Sequence, residues 1–349
     1  MARTVTLIGG DGAANGGGEF APLLRRVLAA TGAALEWVEF SPDAARLGAD
    51  SNSPERRALL ESIRSTGCAL EAWAPPPGKD SGVLPAAVSL AADLELEVCV
   101  HPRRSLPQGP GAIDLLLWSG TTEGPHAAVE LRSREPETER LALEFAAAAE
   151  LPLPPEPGFS VLTCTRAGAE RVLEAAFEFA REHGRARLRV GTRSGQLQAT
   201  DGLFLHTARN VAVRFPDVTF TDWPIGDLCR ELAHAPEELD LVVVPPLWGP
   251  LLAELASGRV GGVDCAPSFH LGAGGVVLFG AAWPAPKKVA GAADHGPWGL
   301  LLACVWMLRH LGEAEAAQRL EQALDDQRAA ASEPGSWRGV AQAVLGALA

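Results

Sequence analysis

The feature that most constrains this chain is an alternation, sustained along its length, of short apolar runs with stretches of 3.6-residue period. Thr4–Ile8 and Leu35–Phe40 read as strands, separated by the glycine-rich Gly9–Gly18 and a helix, Glu19–Thr31, that places Leu23, Leu24, Val27 and Leu28 on one face. Ile113–Trp118 is an apolar run and Phe159–Thr165 a strand. Ala167–His183 reads as a helix burying Val172, Leu173, Ala176, Phe177 and Ala180, stopped by Gly184. Arg187–Val190, Leu239–Val244 and Gly275–Phe279 are further strands, the second largely apolar, as buried parallel strands are. Trp298–Leu311 is a long apolar helix and Glu313–Gln327 an amphipathic one. Gly335–Ala349, with Val340, Val344, Leu345 and Leu348 on one side, reads as a docked helix. Ala74–Gly82 and Ser332–Ser336 break the pattern, and Ser133–Arg140 is a solvated charged stretch. This alternation specifies an α/β protein.

Composition narrows the function. The 349 residues suit about two domains, and a hydrophobic content of 47% supplies a large core. With 43 acidic against 30 basic residues the net charge is −13, which argues against partners that need a basic surface, nucleic acid and anionic membranes. No apolar run approaches the roughly 18 residues of a membrane span, and no signal-peptide pattern is visible, so a cytoplasmic location is expected. The six cysteines lack any C-x-x-C pair and read as buried, reduced thiols. Tyrosine is absent, and lysine occurs only as Lys79, Lys287 and Lys288. A mechanism that needs a tyrosine acid is excluded.

Six segments, in order, resemble the isocitrate/isopropylmalate dehydrogenase family of β-decarboxylating dehydrogenases. Thr4 to Gly12 is similar to the family's opening strand and P-G-D-G loop, and Thr122-Glu123-Gly124 to its E-N-T-E-G segment. Thr200-Asp201-Gly202-Leu203-Phe204 matches T-D-G-L-F, and Pro236 to Asp240 resembles P-E-x-F-D. Gly258 to Gly262 with Ala266-Pro267-Ser268 resembles G-x-V-G-G-x-x-x-A-P-S, and Met307 to Gly312 matches a common helix end. The resemblance spans residues 3–325. It implies a two-domain α/β fold with a large sheet flanked by helices, not a Rossmann fold. Residues 1–98 and 250–349 would form the large domain and 99–249 a smaller central one carrying a dimer contact.

Family members hold a 2-hydroxy acid through three arginines and a divalent metal, pass hydride to a nicotinamide, and use a lysine and a tyrosine for proton transfer. The resemblance places Ala91, His101 and Ser119 at the arginine positions, so the bidentate carboxylate forks are missing. His126 stands at the tyrosine position, either as a substitute acid–base group or as a loop histidine. Arg193 stands at the lysine position; it stays protonated and cannot act as the base, though it can hold an anion. The metal positions fall on Gly226, with Asp227 beside it, Pro250 and Glu254, and Pro250 has no side-chain oxygen to offer. Pro250 suits the first turn of a helix that Gly258 would cap.

Among the nucleotide segments, Gly10 and Gly12 read as turn glycines, Trp283 brings an indole towards the cofactor path, and Gly296 replaces an adenine-facing asparagine. Trp248 and Trp283 are the candidates to plug the cleft. The leading expectation is a catalytically degenerate scaffold or regulatory subunit that forms a homodimer, or a hetero-oligomer with another protein, and takes no cofactor. The alternatives are a divergent dehydrogenase using NAD or NADP with Mg²⁺ or Mn²⁺, and a small-anion sensor built on Arg193, His101 and His126.

Overall fold

The computed structural model describes residues 2–9, 20–40, 53–72, 86–105, 112–127, 129–150, 152–185, 187–262, 265–281, 298–330 and 337–349. The elements run β1 (Arg3–Ile8), α1 (Phe20–Ala30), β2 (Leu35–Phe40), α2 (Pro54–Thr66), β3 (Cys68–Glu71), the short α3 (Ala86–Ser89), β4 (Val98–Arg104) and β5 (Asp114–Gly120). Next come β6 (Glu130–Leu131), α4 (Pro136–Ala149), β7 (Phe159–Ser160), α5 (Arg166–Glu182), β8 (Arg187–Thr192), α6 (Asp201–Ala212), β9 (Thr219–Pro224), α7 (Ile225–His234) and β10 (Leu241–Val244). The last are α8 (Gly249–Ser257), β11 (Pro267–Leu271), β12 (Val277–Ala281), α9 (Trp298–His310), α10 (Ala314–Ala330) and α11 (Trp337–Leu348).

Ten strands form one sheet in the order β2-β1-β3-β12-β11-β4-β5-β10-β8-β9. Its two wings are parallel, and the strand read as parallel at Leu239–Val244 lies in one of them as β10. Its centre is antiparallel, because β11 runs against both β12 and β4, and β4 against β5. The expected α/β class with a large helix-flanked sheet is what the structure has.

Helix ends follow local chemistry. In α2, Ser53 accepts the Arg56 N–H, Pro54 occupies the first turn, and Gly67 at φ 68° ends the helix in a left-handed conformation. In α5 the cap is Thr165, whose hydroxyl accepts the Gly168 N–H at 3.0 Å. Its face of Val172, Leu173, Ala176, Phe177 and Ala180 is buried as read, and so is that of α1. The terminal helix docks: α11 packs on α1 and α10 with Val340, Val344 and Leu348 buried.

Several boundaries differ from the sequence reading. The strand expected over 159–165 shrinks to Phe159–Ser160, because Thr165 is taken up as a cap and the Thr163 carbonyl accepts the Gly124 N–H. The strand expected from Gly275 starts at Val277, since Gly274 and Gly275 sit at positive φ in a turn. Gly258 does cap α8, but in a right-handed conformation, and the reversal is made by Gly261 and Gly262. All six cysteines are free, yet only Cys68, Cys99 and Cys304 are buried; the other three are half-buried. The three lysines and most of the glycine-rich loop lie outside the described residues.

The two faces of the sheet are covered differently. On one, a continuous core joins Val5, Leu70, Val100, Trp118, Val243 and Phe279 to helices α1, α5, α6, α9, α10 and α11. On the other, the apolar covering splits in two. Ile8, Ala69, Val276 and Leu278 pack with α2 and the segment after α3, while Leu115, Leu117, Val242 and Val244 pack with α7 and α8. Between these clusters the sheet presents polar side chains.

Candidate functional site

That polar floor follows from strand alternation. Residues two apart on a strand share a face, and laterally paired residues share it too. Cys99 pairs with His270 on β11 and with Ser119 on β5. His101 shares the Cys99 face on β4, and Ser268 shares the His270 face on β11. Ser268 pairs with Gly280, and a Cβ added to Gly280 would meet the Glu71 carboxylate at 3.7 Å, so Glu71 lies across the missing side chain.

The imidazoles and the thiol described on this floor are held in their neutral forms. Cys99 Sγ lies 3.3 Å from His101 Nε2, and burial pushes the thiol up to about 12, so it stays protonated. Enclosure holds His101 well below the usual imidazole range, helped by repulsion from Arg103 and His270. His270 is pushed down to about 4 by enclosure and by the neighbouring His126. His126 sits in the short turn Gly124–Ala127; it is exposed, and desolvation lowers it too. The structure thus brings together the predicted His101, Ser119 and His126 with the unpredicted Cys99, His270, Ser268 and Glu71.

Arg103, next but one after His101, is only 1% exposed. Its Nε donates to the Ser257 hydroxyl at 3.0 Å and the Ala253 carbonyl at 3.3 Å, and one terminal nitrogen donates to the carbonyls of Pro102 and Pro267, each at 2.8 Å. Burial brings it down to about 10, so it remains a cation at neutral pH, held by neutral acceptors. It ties α8 to β4 and β11.

Ser119 is 2% exposed because the start of α8 lies on it. A Cβ added to Gly249 would fall 2.5 Å from the Ser119 Cβ and closer still to its hydroxyl. Pro250 follows in the first turn of α8, as expected. Glu254 is exposed one turn later; Gly226 opens onto free space; Asp227 is bonded at 2.9 Å to Arg230 on the same helix.

The other predicted positions sit apart from the floor. Ala91 is half-buried against the cluster around Leu90 and Leu278. Arg193 is exposed, its guanidinium bonded to Gln196, while its backbone N–H donates to Asp201 Oδ2 at 2.6 Å. Trp248 is bonded to the same Asp201 and does not lie free across the cleft. In the Thr122-Glu123-Gly124 segment, the Glu123 carboxylate accepts the Thr165 N–H at 2.9 Å and the Thr165 hydroxyl, placing its charge at the start of α5. Gly10, Gly12, Trp283 and Gly296, the predicted nucleotide positions, lie outside the described residues.

A family model described as isocitrate/isopropylmalate dehydrogenase matches residues 85–335. The chain belongs to this family. It is 31% identical, over 92% of its length and 80% of the relative's, to a protein named isocitrate dehydrogenase [NAD] catalytic subunit 5, mitochondrial, of Arabidopsis thaliana. It is 26% identical, over 92% of its length and 83% of the relative's, to a mitochondrial protein of Dictyostelium discoideum named as a regulatory subunit of NAD isocitrate dehydrogenase. The crystal structure of isocitrate dehydrogenase from Methylococcus capsulatus superposes with a TM-score of 0.78 at 26% identity, covering 100% of this chain and 99% of that one.

Within the family fold, the described residues at the expected metal positions do not suit a divalent metal. Mg²⁺ and Mn²⁺ need several hard oxygen donors converging on one point. Pro250 and Gly226 supply none, Asp227 is engaged by Arg230, and Glu254 is a lone carboxylate on a solvent-facing turn. Among the described residues no helix is long and apolar enough to cross a membrane.

Proposed function

We propose that this chain is a non-catalytic member of the isocitrate/isopropylmalate dehydrogenase family that acts through protein contacts, as a scaffold or as the regulatory partner of a catalytic chain. The observation that carries the reading is the seating of α8 on β5. Gly249 rests on Ser119, so the position of a substrate arginine is covered by backbone, and Pro250 follows where a metal carboxylate would be needed. A long cationic side chain at residue 119 and the first turn of α8 cannot share that space.

The surface supplies contacts for assembly. Leu251 and Leu255, one turn apart on α8, are 63% and 42% exposed, and Leu143 on α4 is 75% exposed. Apolar side chains in that spacing form a stripe suited to a partner helix. The Dictyostelium relative is named as the regulatory part of a larger enzyme, in keeping with this role. In this reading the contact expected on residues 99–249 extends onto the neighbouring helix α8, which packs on β4, β5 and α7, and no cofactor is bound.

The test is turnover and thermal unfolding with NAD⁺ or NADP⁺, isocitrate, 3-isopropylmalate, malate and tartrate, each with and without Mn²⁺ or Mg²⁺. A ligand specific for the native state at 100 times its dissociation constant adds about 2.7 kcal/mol, a readily measured shift. No turnover and no metal-dependent shift is the expected result. Reduction of either nucleotide would sink the reading.

A further inference from the structure

We propose that the segment Pro152–Pro155, between α4 and β7, is a ligand for an aromatic-lined groove on another protein, of the kind that reads polyproline II chains. The inference goes beyond the non-catalytic reading, since a chain that turned over substrate could carry it equally.

Sequence comes first. Residues 152–157 read Pro-Leu-Pro-Pro-Glu-Pro, four prolines in six positions. A proline ring locks φ at about −65°, and a residue that precedes a proline is pushed out of the helical region. Pro152, Pro154 and Pro155 carry the lock, and Leu153 and Pro154 carry the second restraint. Sterics therefore favour a left-handed rod of three residues per turn, in which Pro152 and Pro155 share an edge about 9 Å apart. The structure has neither helix nor strand at 152–154 and bends at Pro155 and Glu156.

The fold presents this rod without covering it. Pro152, Leu153, Pro154, Pro155 and Glu156 are all exposed, Leu153 at 38%. Among the described residues, nothing hydrogen-bonds to the Leu153 N–H or to the carbonyls of residues 152–155. Both ends are anchored. Upstream, Glu150 ends α4 at φ 53°, its N–H directed at the carbonyls of Ala146 and Ala147. Downstream, Glu156 is also at φ 53°; its carbonyl accepts the Ser133 hydroxyl at 2.7 Å, and one carboxylate oxygen accepts Arg134 Nε and Nη2 at 2.9 and 2.8 Å. A stiff segment pinned at both ends loses little freedom on binding. Polar residues would serve to join α4 to β7, whereas these apolar rings and Leu153 gain nothing from the chain's own core.

These features set the chemistry of the partner. Proline rings and Leu153 fit a shallow groove of flat aromatic rings, and the bare carbonyls call for donors such as an indole N–H or a phenol O–H. Glu150 is exposed and in no ion pair among the described residues, so it sets a carboxylate at one end of the rod. The matching groove therefore has Lys or Arg on its rim.

The test titrates the full-length protein into three isotope-labelled domains with such grooves, an SH3, a WW and an EVH1 domain. The expected result is saturable binding to at least one, read on the aromatic resonances of its groove and displaced by a proline decapeptide. Binding should weaken about tenfold or more in a Pro152→Ala/Pro155→Ala variant. Leu153→Asp is the second variant should that one fail to fold. Parent and variants should sediment at the same mass, because the segment faces a different protein. Binding by none of the three domains, or binding that survives the variants or the decapeptide, overturns the proposal. A lower mass in the variants also overturns it, by assigning the segment to a second copy of this chain. Reduction of a nucleotide would instead sink the non-catalytic reading and leave this inference standing.

Discussion

The indole N–H of Trp248 donates to Oδ2 of Asp201 at 2.8 Å, and the same oxygen accepts the backbone N–H of Arg193 at 2.6 Å. Asp201 is 2% exposed and is the first residue of α6. One buried carboxylate oxygen therefore joins the turn after β8, the start of α6 and the approach to α8. Charge-assisted bonds of this kind are worth more than neutral ones, and their removal strands two donors. Asp201→Ala is expected to cost about 3 kcal/mol in urea unfolding. Combined with Trp248→Phe it should cost less than the sum of the single changes, because the two remove the same bond.

Gly249 and Ser119 give a sharper test of how α8 is seated. Gly249→Ala places a methyl group inside the Ser119 side chain and should destabilise the fold by about 2 kcal/mol. Ser119→Gly should restore most of that loss in the double variant. A cycle with no coupling would show that α8 does not lie on β5 as described.

Arg103 carries four hydrogen bonds at 1% exposure. Arg103→Ala leaves buried acceptors unpaired and opens a cavity, with an expected cost of about 4 kcal/mol by chemical denaturation. Arg103→Lys keeps the charge but loses the planar fork, and should recover only part of the stability.

Stability should fall on acidification in a window set by the imidazoles. His270 is held at about 4 in the folded chain, below the ordinary value of 6.5, and His101 is lowered as well. The fold favours the neutral rings, so their contribution is fully present above pH 6.5. It is lost as pH falls, because the unfolded chain binds protons first, and the loss levels off below the folded values. For His270 the full loss is about 3 kcal/mol. Denaturation midpoints between pH 7 and pH 4 should show this slope, and His270→Gln should flatten it.

Leu251→Glu tests the assembly surface. The side chain is 63% exposed, so the isolated chain should lose less than about 0.5 kcal/mol of stability. Sedimentation should nevertheless show a lower mass than the parent protein, since a charge placed in an apolar contact opposes association. An unchanged mass would remove α8 from the interface.

Much of the fold was legible because periodicity is local. The inward faces of α1 and α5 and the apolar β10 could be read residue by residue. His101 and Ser119 were picked out through the resemblance, and the pairing of β4 with β5 sets them on one face. Strand β4 itself went unread, since Pro102, Arg103 and Arg104 break its apolar pattern, and Arg103 was missed with it. His270, Ser268 and Glu71 were missed for a different reason. They join the site through the pairing of β11 with β4 and of β12 with β3, and no local pattern records which distant strands become neighbours. Cys99 alone was within reach, two residues before His101 on the same face.

The same pairings shape how the chain comes to its native state. Val277 pairs with Cys68, and His270 with Cys99, so the inner edges of β3 and β4 stay open until residues 267–281 have left the ribosome. Until then the emerging chain presents two unpaired strand edges, the kind of template on which other chains can add. Long-range closure of this sort is slow, and it exposes nascent chains to aggregation. The two edges thus stay open for as long as the middle third is being made, and truncation before β12 is expected to yield aggregated chain and not a smaller folded unit.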